Sequence, residues 1–294
     1  MSTDSKVIVG ITARALFDLE VEHQIFVDQG LDAFIAHQAT NEDVILKPGA
    51  AFSLVKALMH LNVLSPHERL CELVLLSRNS AETFPRIRNS LLHHGLDVPR
   101  YVLTSGEAIS GYARALSIDL FLSATVESVK AAIQEGVAAA LVYPFPTGRM
   151  ASDDNCVRLA FDGDGVLFSS ESDVVFKQGG LGAFEQHEID NVDVPLADGP
   201  FANVLRKLAT IQRRFDATNN PIRTALVTAR CSPADERVFR TLKSWGIRID
   251  ELFFLGGAAN KHAVLREFAP HIYFDDDDQA CQVASASVPA ARVP

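Results

Sequence analysis

The chain repeats itself. The string IFVDQGLDAFIAHQ (25–38) lines up with VFKQGGLGAFEQHE (175–188), pairing Phe26 with Phe176, Gly30 with Gly180, Leu31 with Leu181, Phe34 with Phe184 and His37 with His187 at a spacing of 150 residues. At the same spacing NEDVILKPG (41–49) meets NVDVPLADG (191–199), and at 151 LLSRNSAETFPRIRNSLLHHGLDV (75–98) meets LVTARCSPADERVFRTLKSWGIRI (226–249). An offset held over most of two halves marks a duplicated domain, and it sets the fold problem as one small architecture made twice. Each half has the ordinary size of a domain. The reading places a first domain at residues 1–148 and a second at 149–294, with YPFPTGRMASDDN (143–155), rich in Pro, Gly, Ser and Asp, as the linker.

In the second half, short apolar runs alternate with helical patterns. VRLAF (157–161), TALV (224–227), LFFL (252–255) and HIYF (271–274) have the length and composition of buried parallel strands. Residues 201–214 place Phe201, Val204, Leu205, Leu208 and Ile211 on one helical face, and Ser232, Pro233 and Asp235 read as the capped start of a further helix. This order predicts an α/β fold with a Rossmann-like sheet, in which ligands sit beyond the carboxyl ends of the strands.

The residues that follow the four strands carry chemistry. Asp162 and Asp164 follow the first, Thr228 and Ala229 the second, a GGAANK loop with Lys261 the third, and Asp275 and Asp276 the fourth. Carboxylates from two strand ends suit Mg²⁺, which takes oxygen ligands and bridges protein to phosphate. Asp162 is placed to attack phosphorus and form an aspartyl-phosphate. Asp164, two residues on, is placed to protonate the departing alkoxide and then to activate water. Thr228 and Lys261 would bind the phosphoryl oxygens whose charge must be stabilised. Gly163 and Gly165 would let phosphate approach the backbone.

These strings resemble the haloacid dehalogenase superfamily of phosphohydrolases and, more narrowly, the cytosolic 5′-nucleotidase type I family. The resemblance rests on RALFDLE, LKPG, LLSRNS, AFDGDGVLFS, TALVTAR, RIDELFFLGG and HIYFDD, which run from residue 14 to 276. It implies Mg²⁺-dependent hydrolysis of nucleoside 5′-monophosphates to nucleoside and phosphate. Its metal set would be Asp162, Asp164 and Asp276, with Asp275 orienting them, although the acidic run continues through Asp277 and Asp278. The segment at about 169–222 takes the place of a small helical cap that covers the site and selects substrate. Phe168, Phe176 and Phe184 are the candidate base contacts, although aromatic residues at such spacing more often build cores. Arg230 and Arg237 either reach phosphate or pair with local acids such as Asp235.

Other readings are weaker. A DxDG string also opens calcium loops, but the next ligand position is Val166 and no glutamate stands twelfth. A phosphatase acting on sugar phosphates keeps the same four motifs, because they treat only the phosphate. A non-catalytic nucleotide-binding regulator would not need Asp164.

In the first half the 151-residue shift sets Ile11 against Asp162, Ala13 against Asp164 and Ser77 against Thr228, while Ser123 and Ala124 stand for the acidic pair and no lysine follows TSGE. This half is expected to be catalytically silent. It serves either as a packing partner or, with Thr12, Ser77, Arg78, Asn79 and Thr104 holding a phosphate uncleaved, as a regulatory site for a nucleotide effector.

The formal net charge of −10 and the lack of a basic block argue against a nucleic-acid polymer as partner. The four cysteines are widely spaced and read as buried thiols. No apolar signal core or membrane-length run is present, which leads to the expectation of a cytoplasmic protein. Assembly into a homo-oligomer stays open.

Overall fold

The structure is a computed structural model that describes residues 6–145 and 156–294. It divides into two compact units, one within residues 6–150 and one within 151–294. The expected boundary at 148/149 lies outside the described residues, as does most of the expected linker.

The first unit contains β1 (Val7–Thr12), β2 (Cys71–Ser77), β3 (Arg100–Leu103), β4 (Leu120–Ser123) and β5 (Ala138–Val142). All pair in parallel, in the order β3-β2-β1-β4-β5. The second unit contains β6 (Val157–Phe161), β7 (Ile222–Thr228), β8 (Glu251–Phe254), β9 (Ile272–Asp275) and β10 (Ala290–Arg292), parallel again, in the order β8-β7-β6-β9-β10. Helices fill the connections, as parallel strands require. Each unit is a Rossmann-like α/β fold.

The expected strand 157–161 coincides with β6, and the other three lie within a residue or two of β7, β8 and β9. Strand β10 escaped the sequence reading. Its three residues, Ala-Ala-Arg, carry no periodicity; it is hydrogen bonding to β9 that marks them as a strand. The helix expected to begin with Ser232 as cap starts at Asp235, after Ala234, with no side-chain cap. Ala234 N–H donates to the Cys231 carbonyl at 2.8 Å, so Ser232 and Pro233 belong to the preceding turn.

The cores lie where sheet meets helix. In the second unit Ala160, Ala225, Val227 and Tyr273 pack against Leu265, Phe268 and Ala284. Small residues on the strands let the helices approach closely. In the first unit Ile8, Val74, Leu76 and Phe121 pack against Ile109, Ala113, Val129 and Ala132.

The segment at 169–222 holds the helices Glu171–Asp190 and Ala202–Gln212. The former breaks at Gly180 (φ +72°, ψ −169°), and in the first unit Gly30 (φ +85°, ψ −174°) separates the helices Glu20–Gln29 and Leu31–Thr40 in the same way. That backbone region is open essentially to glycine alone, which accounts for a glycine at both places. All four cysteines are free; Cys71 and Cys281 are buried, whereas Cys156 and Cys231 are only partly so. Among the described residues no helix is long and apolar enough to cross a membrane.

Candidate active site

The carboxyl ends of β6, β7 and β9, with the first residue of the helix Lys261–Phe268, converge in the second unit. Asp162 directly follows β6 and is only 7% exposed. Lys261 Nζ donates to Asp162 Oδ1 at 2.7 Å and to Asp275 Oδ2 at 3.0 Å. Tyr273 hydroxyl donates to the same Asp275 oxygen, and Asp277 N–H donates to Asp275 Oδ1 at 2.9 Å. Both oxygens of Asp275 are therefore committed to protein donors. Asp276, half-buried, has no ion pair among the described residues.

Asp162, Asp275 and Asp276 each offer a carboxylate oxygen within 4.8 Å of the others, close enough for one cation. Packing such acids together is costly without positive charge between them. Burial, then Asp275, push the Asp276 carboxyl up to about 6. Burial pushes Asp162 up to about 8 against the pull of the Lys261 ammonium. Lys261 itself loses hydration, yet Asp162 and Asp275 hold its ammonium firmly protonated. An oxygen-only donor set with two carboxyls held above their ordinary range fits a hard divalent cation such as Mg²⁺.

Asp164 stands apart from this group. Arg230 grips its two oxygens as a fork, Nε to Oδ2 at 2.7 Å and Nη2 to Oδ1 at 2.6 Å. The other arm of Arg230 bonds Glu188, a residue 1% exposed that also accepts from Arg237 at 3.0 Å and from Ser172 hydroxyl at 2.7 Å. Although burial favours its neutral form, these partners hold the Glu188 carboxyl below its usual range. Arg230 and Arg237 thus pair with Glu188, and Arg230 with Asp164; neither pairs with Asp235. Sequence reasoning missed Glu188. Its trace there is the matched polar residue Gln38 in the first half, on a helix face with no other mark of function.

Gly165 takes φ +76°, and a Cβ on it would sit 2.5 Å from Asp276 Oδ2. Glycine is needed there for the left-handed turn and for the close approach of Asp276. Thr228 Oγ1 accepts the Arg230 N–H at 3.2 Å and lies 3.2 Å from the position of a Cβ on Gly163, while Ala229 is exposed beside it. Phe168 is fully buried, its ring 5.6 Å from that of Trp245, so it belongs to the core instead of a base pocket. Phe176 is 48% exposed and meets Phe184 edge-on at 6.2 Å, and the Arg230 guanidinium lies 5.2 Å from the Phe184 ring centre. This aromatic pair faces the polar network through Phe184, one of the three phenylalanines that the sequence offers for a base pocket.

The register of the first unit changes one correspondence. Ile11 lies beside Leu75 and Leu122, as Phe161 lies beside Leu226 and Phe274. The next residue, Thr12, therefore stands where Asp162 stands, and not Ile11. The sequence shift erred because the loop after β1 is one residue shorter: Leu16 and Leu167, which accept from Gly49 and Gly199 in matching bonds, are 151 residues apart. Ser123 Oγ accepts the N–H of Thr125 as Asp275 accepts that of Asp277.

Among solved structures, a chain titled "Structure of Pnkp1/Rnl/Hen1 complex" aligns over 98% of this chain and 96% of its own at 13% identity, with a TM-score of 0.35, too loose to imply a common fold. The human protein Cytosolic 5′-nucleotidase 1B is 41% identical over 280 residues, covering 92% of this chain and 46% of that protein. The chain thus spans less than half the length of that relative. The 5′-nucleotidase family model matches residues 1–294 from end to end, and this chain, with its carboxylates and lysine gathered at the strand ends of the second unit, belongs to the 5′-nucleotidase family.

Proposed function

We propose that this chain hydrolyses nucleoside 5′-monophosphates to nucleoside and phosphate through an aspartyl-phosphate on Asp162, with Mg²⁺ as its metal. The observation that carries this reading is the joint hold of Lys261 on Asp162 and Asp275, beside an Asp276 that has no ion pair among the described residues, in a member of this family. Asp162 and Asp276 would hold the cation, while Asp275, its oxygens already taken by Lys261, Tyr273 and the Asp277 N–H, fixes the lysine. The cation, when bound, supplies positive charge against the phosphate and keeps Asp162 ionised.

Asp162 attacks phosphorus along the line of the ester bond. The new bond joins its carboxylate oxygen to phosphorus as the bond to the 5′ oxygen breaks. Lys261 and the Thr228 hydroxyl stabilise the phosphoryl oxygens, beside the exposed Ala229. Asp164 gives the departing 5′ oxygen its proton and then takes one from the water that cleaves the aspartyl-phosphate. While Arg230 forks it, both Asp164 oxygens are occupied by guanidinium N–H groups, so the fork must open before one of them can meet the substrate's proton. Phe176 offers an exposed ring for the base to cover, from the kinked helix that stands as the cap.

The silent first unit, lacking lysine and acidic pair, would leave all catalysis to the second. The cytosol is the proposed location, in keeping with the name of the human relative. The test is phosphate release from a panel of nucleoside 5′-monophosphates and sugar phosphates with Mg²⁺, with the Asp162→Asn protein as blank and EDTA as a second blank. Preference for nucleotides, lost in both blanks, is expected. Release confined to sugar phosphates would overturn the substrate, and none at all would overturn the activity.

A further inference from the structure

The first unit holds a cavity of about 510 Å³, within the size range of small-molecule sites. It opens beyond the carboxyl ends of β1 and β2, the ligand end of a Rossmann-like sheet. Thr12, Ser77, Arg78 and Asn79 line its polar side, and Phe26 and Phe34, from the two helices that Gly30 separates, line its apolar side.

Three features of this cavity point to a ligand. The Arg78 guanidinium is exposed and has no ion pair or hydrogen bond among the described residues, and neither has the Asn79 side-chain amide, although the Asn79 backbone N–H donates to Ser77 Oγ at 3.2 Å. Thr12 Oγ1 is fully covered, yet it makes no hydrogen bond among the described residues. A buried hydroxyl without a partner is costly, and the cost is relieved when the site closes on an acceptor. Phe26 is 48% exposed and meets Phe34 edge-on at 6.1 Å, so an apolar ring is held open to solvent beside these donors.

The chemistry of the donors sets the class of ligand. Where the second unit has Asp162, Asp275 and Asp276, this unit has Thr12, Ser123 and Ala124. Three carboxylates would repel a phosphate unless a cation lay between them, whereas hydroxyls and a methyl do not. The neighbouring acid Glu22 is neutralised by Arg86 at 2.6 Å, although Glu82 at the rim is not. A phosphate can therefore be met by the guanidinium, amide and hydroxyls directly. No carboxylate stands at the nucleophile position, so the phosphate stays whole. A sugar phosphate would leave the exposed ring uncovered; a nucleotide carries a base to cover it.

We infer that the first unit is a second nucleotide site, which binds a nucleoside phosphate without a metal ion and without cleaving it. The inference concerns binding alone and stands apart from the proposed activity of the second unit. The test is calorimetric titration of the full chain carrying Asp162→Asn, in EDTA, with adenosine 5′-monophosphate and with ribose 5-phosphate. Binding of the nucleotide is expected, with ribose 5-phosphate at least about 10-fold weaker, and a loss of about 10-fold or more on adding Arg78→Ala or Asn79→Ala. Arg78 is exposed, so its replacement leaves the fold intact, and Arg78→Lys restores part of the binding. Absence of nucleotide binding in EDTA, binding lost with Lys261→Met but kept with Arg78→Ala, or equal affinity for ribose 5-phosphate would each overturn the inference.

Discussion

The two units bury an arginine at the same place and neutralise it differently. In the first, Arg86 donates to Glu22 at 2.6 Å and to Gln38 at 3.0 Å; in the second, Arg237 donates to Glu188, while Ser172 stands where Glu22 stood. The carboxylate has moved from the first helix of the pair to the second. Either position satisfies the arginine, which also donates to a loop carbonyl in both units, that of Val44 or Val194. Only the second position leaves the acid free to take a further arginine, Arg230, and through it Asp164. A buried ion pair in one unit thus has as its counterpart, in the other, the anchor of Asp164, the proposed acid and base. Duplicated packing is preserved by matching charge for charge, and chemistry is gained or lost by where that charge is put.

The sharpest break in the comparison is at Asp162, the proposed nucleophile. Asp162→Asn should lower phosphate release at least ~10³-fold, whereas Ser123→Ala, at the first-unit counterpart of Asp275, should leave it within about twofold. A steady-state assay of the two variants reads this directly, and comparable losses would mean that the first unit takes part in the reaction.

Next in size are the buried arginines. Arg86→Met takes the arginine from the buried Glu22 carboxylate and should cost about 3–5 kcal/mol in urea unfolding, whereas Arg237→Met leaves Glu188 on Arg230 and Ser172 and should cost less. Adding Glu22→Gln to the former should recover much of that loss. In the second unit Glu188→Gln should recover less, because Arg230 then loses a partner. Equal recovery in both would show that Glu188 does no more than Glu22.

The helix breaks give a smaller effect, expected to be the same in both units. Gly30→Ala and Gly180→Ala force alanine into a glycine-only backbone region and should each cost about 1–3 kcal/mol. A cost at one site alone would mean that the matching break is not under the same constraint.

The smallest effect is a pH dependence confined to the second unit. Burial raises Asp162 above its unfolded value, so its folded form favours the proton and stability is lost as pH rises towards about 8. In metal-free protein Asp162→Asn should therefore raise the melting temperature by a few degrees at pH 8 and by less at pH 5. Thermal melts in EDTA at the two values decide this, and a larger gain at the lower pH would reverse the assignment.

Much of the molecule is legible in its amino-acid order. The repeat, the parallel strands β6 to β9, and the order Asp162, Thr228, Lys261, Asp275 follow from apolar runs and the residues that end them, because strand ends are set locally and a parallel sheet gathers those ends on one rim. The misreadings have equally physical causes. Phe168 looked like a base contact because sequence spacing does not say which face of a turn is buried; packing against Trp245 decided that. Ile11 was set against Asp162 because a single missing residue in a loop shifts an alignment, whereas a ladder of hydrogen bonds keeps its register regardless.

The linear chain by itself determined a duplicated α/β protein whose second half carries the strand-end residues proposed for phosphate chemistry, since composition and strand-end residues are properties of short segments. Tertiary structure alone decided that Arg230 grips Asp164, that Glu188 anchors both buried arginines, and that Thr12 and Arg78 face an open cavity beside two phenylalanines. Each of these joins side chains on separate elements far apart in the chain, and burial makes their charges matter only once the elements are packed.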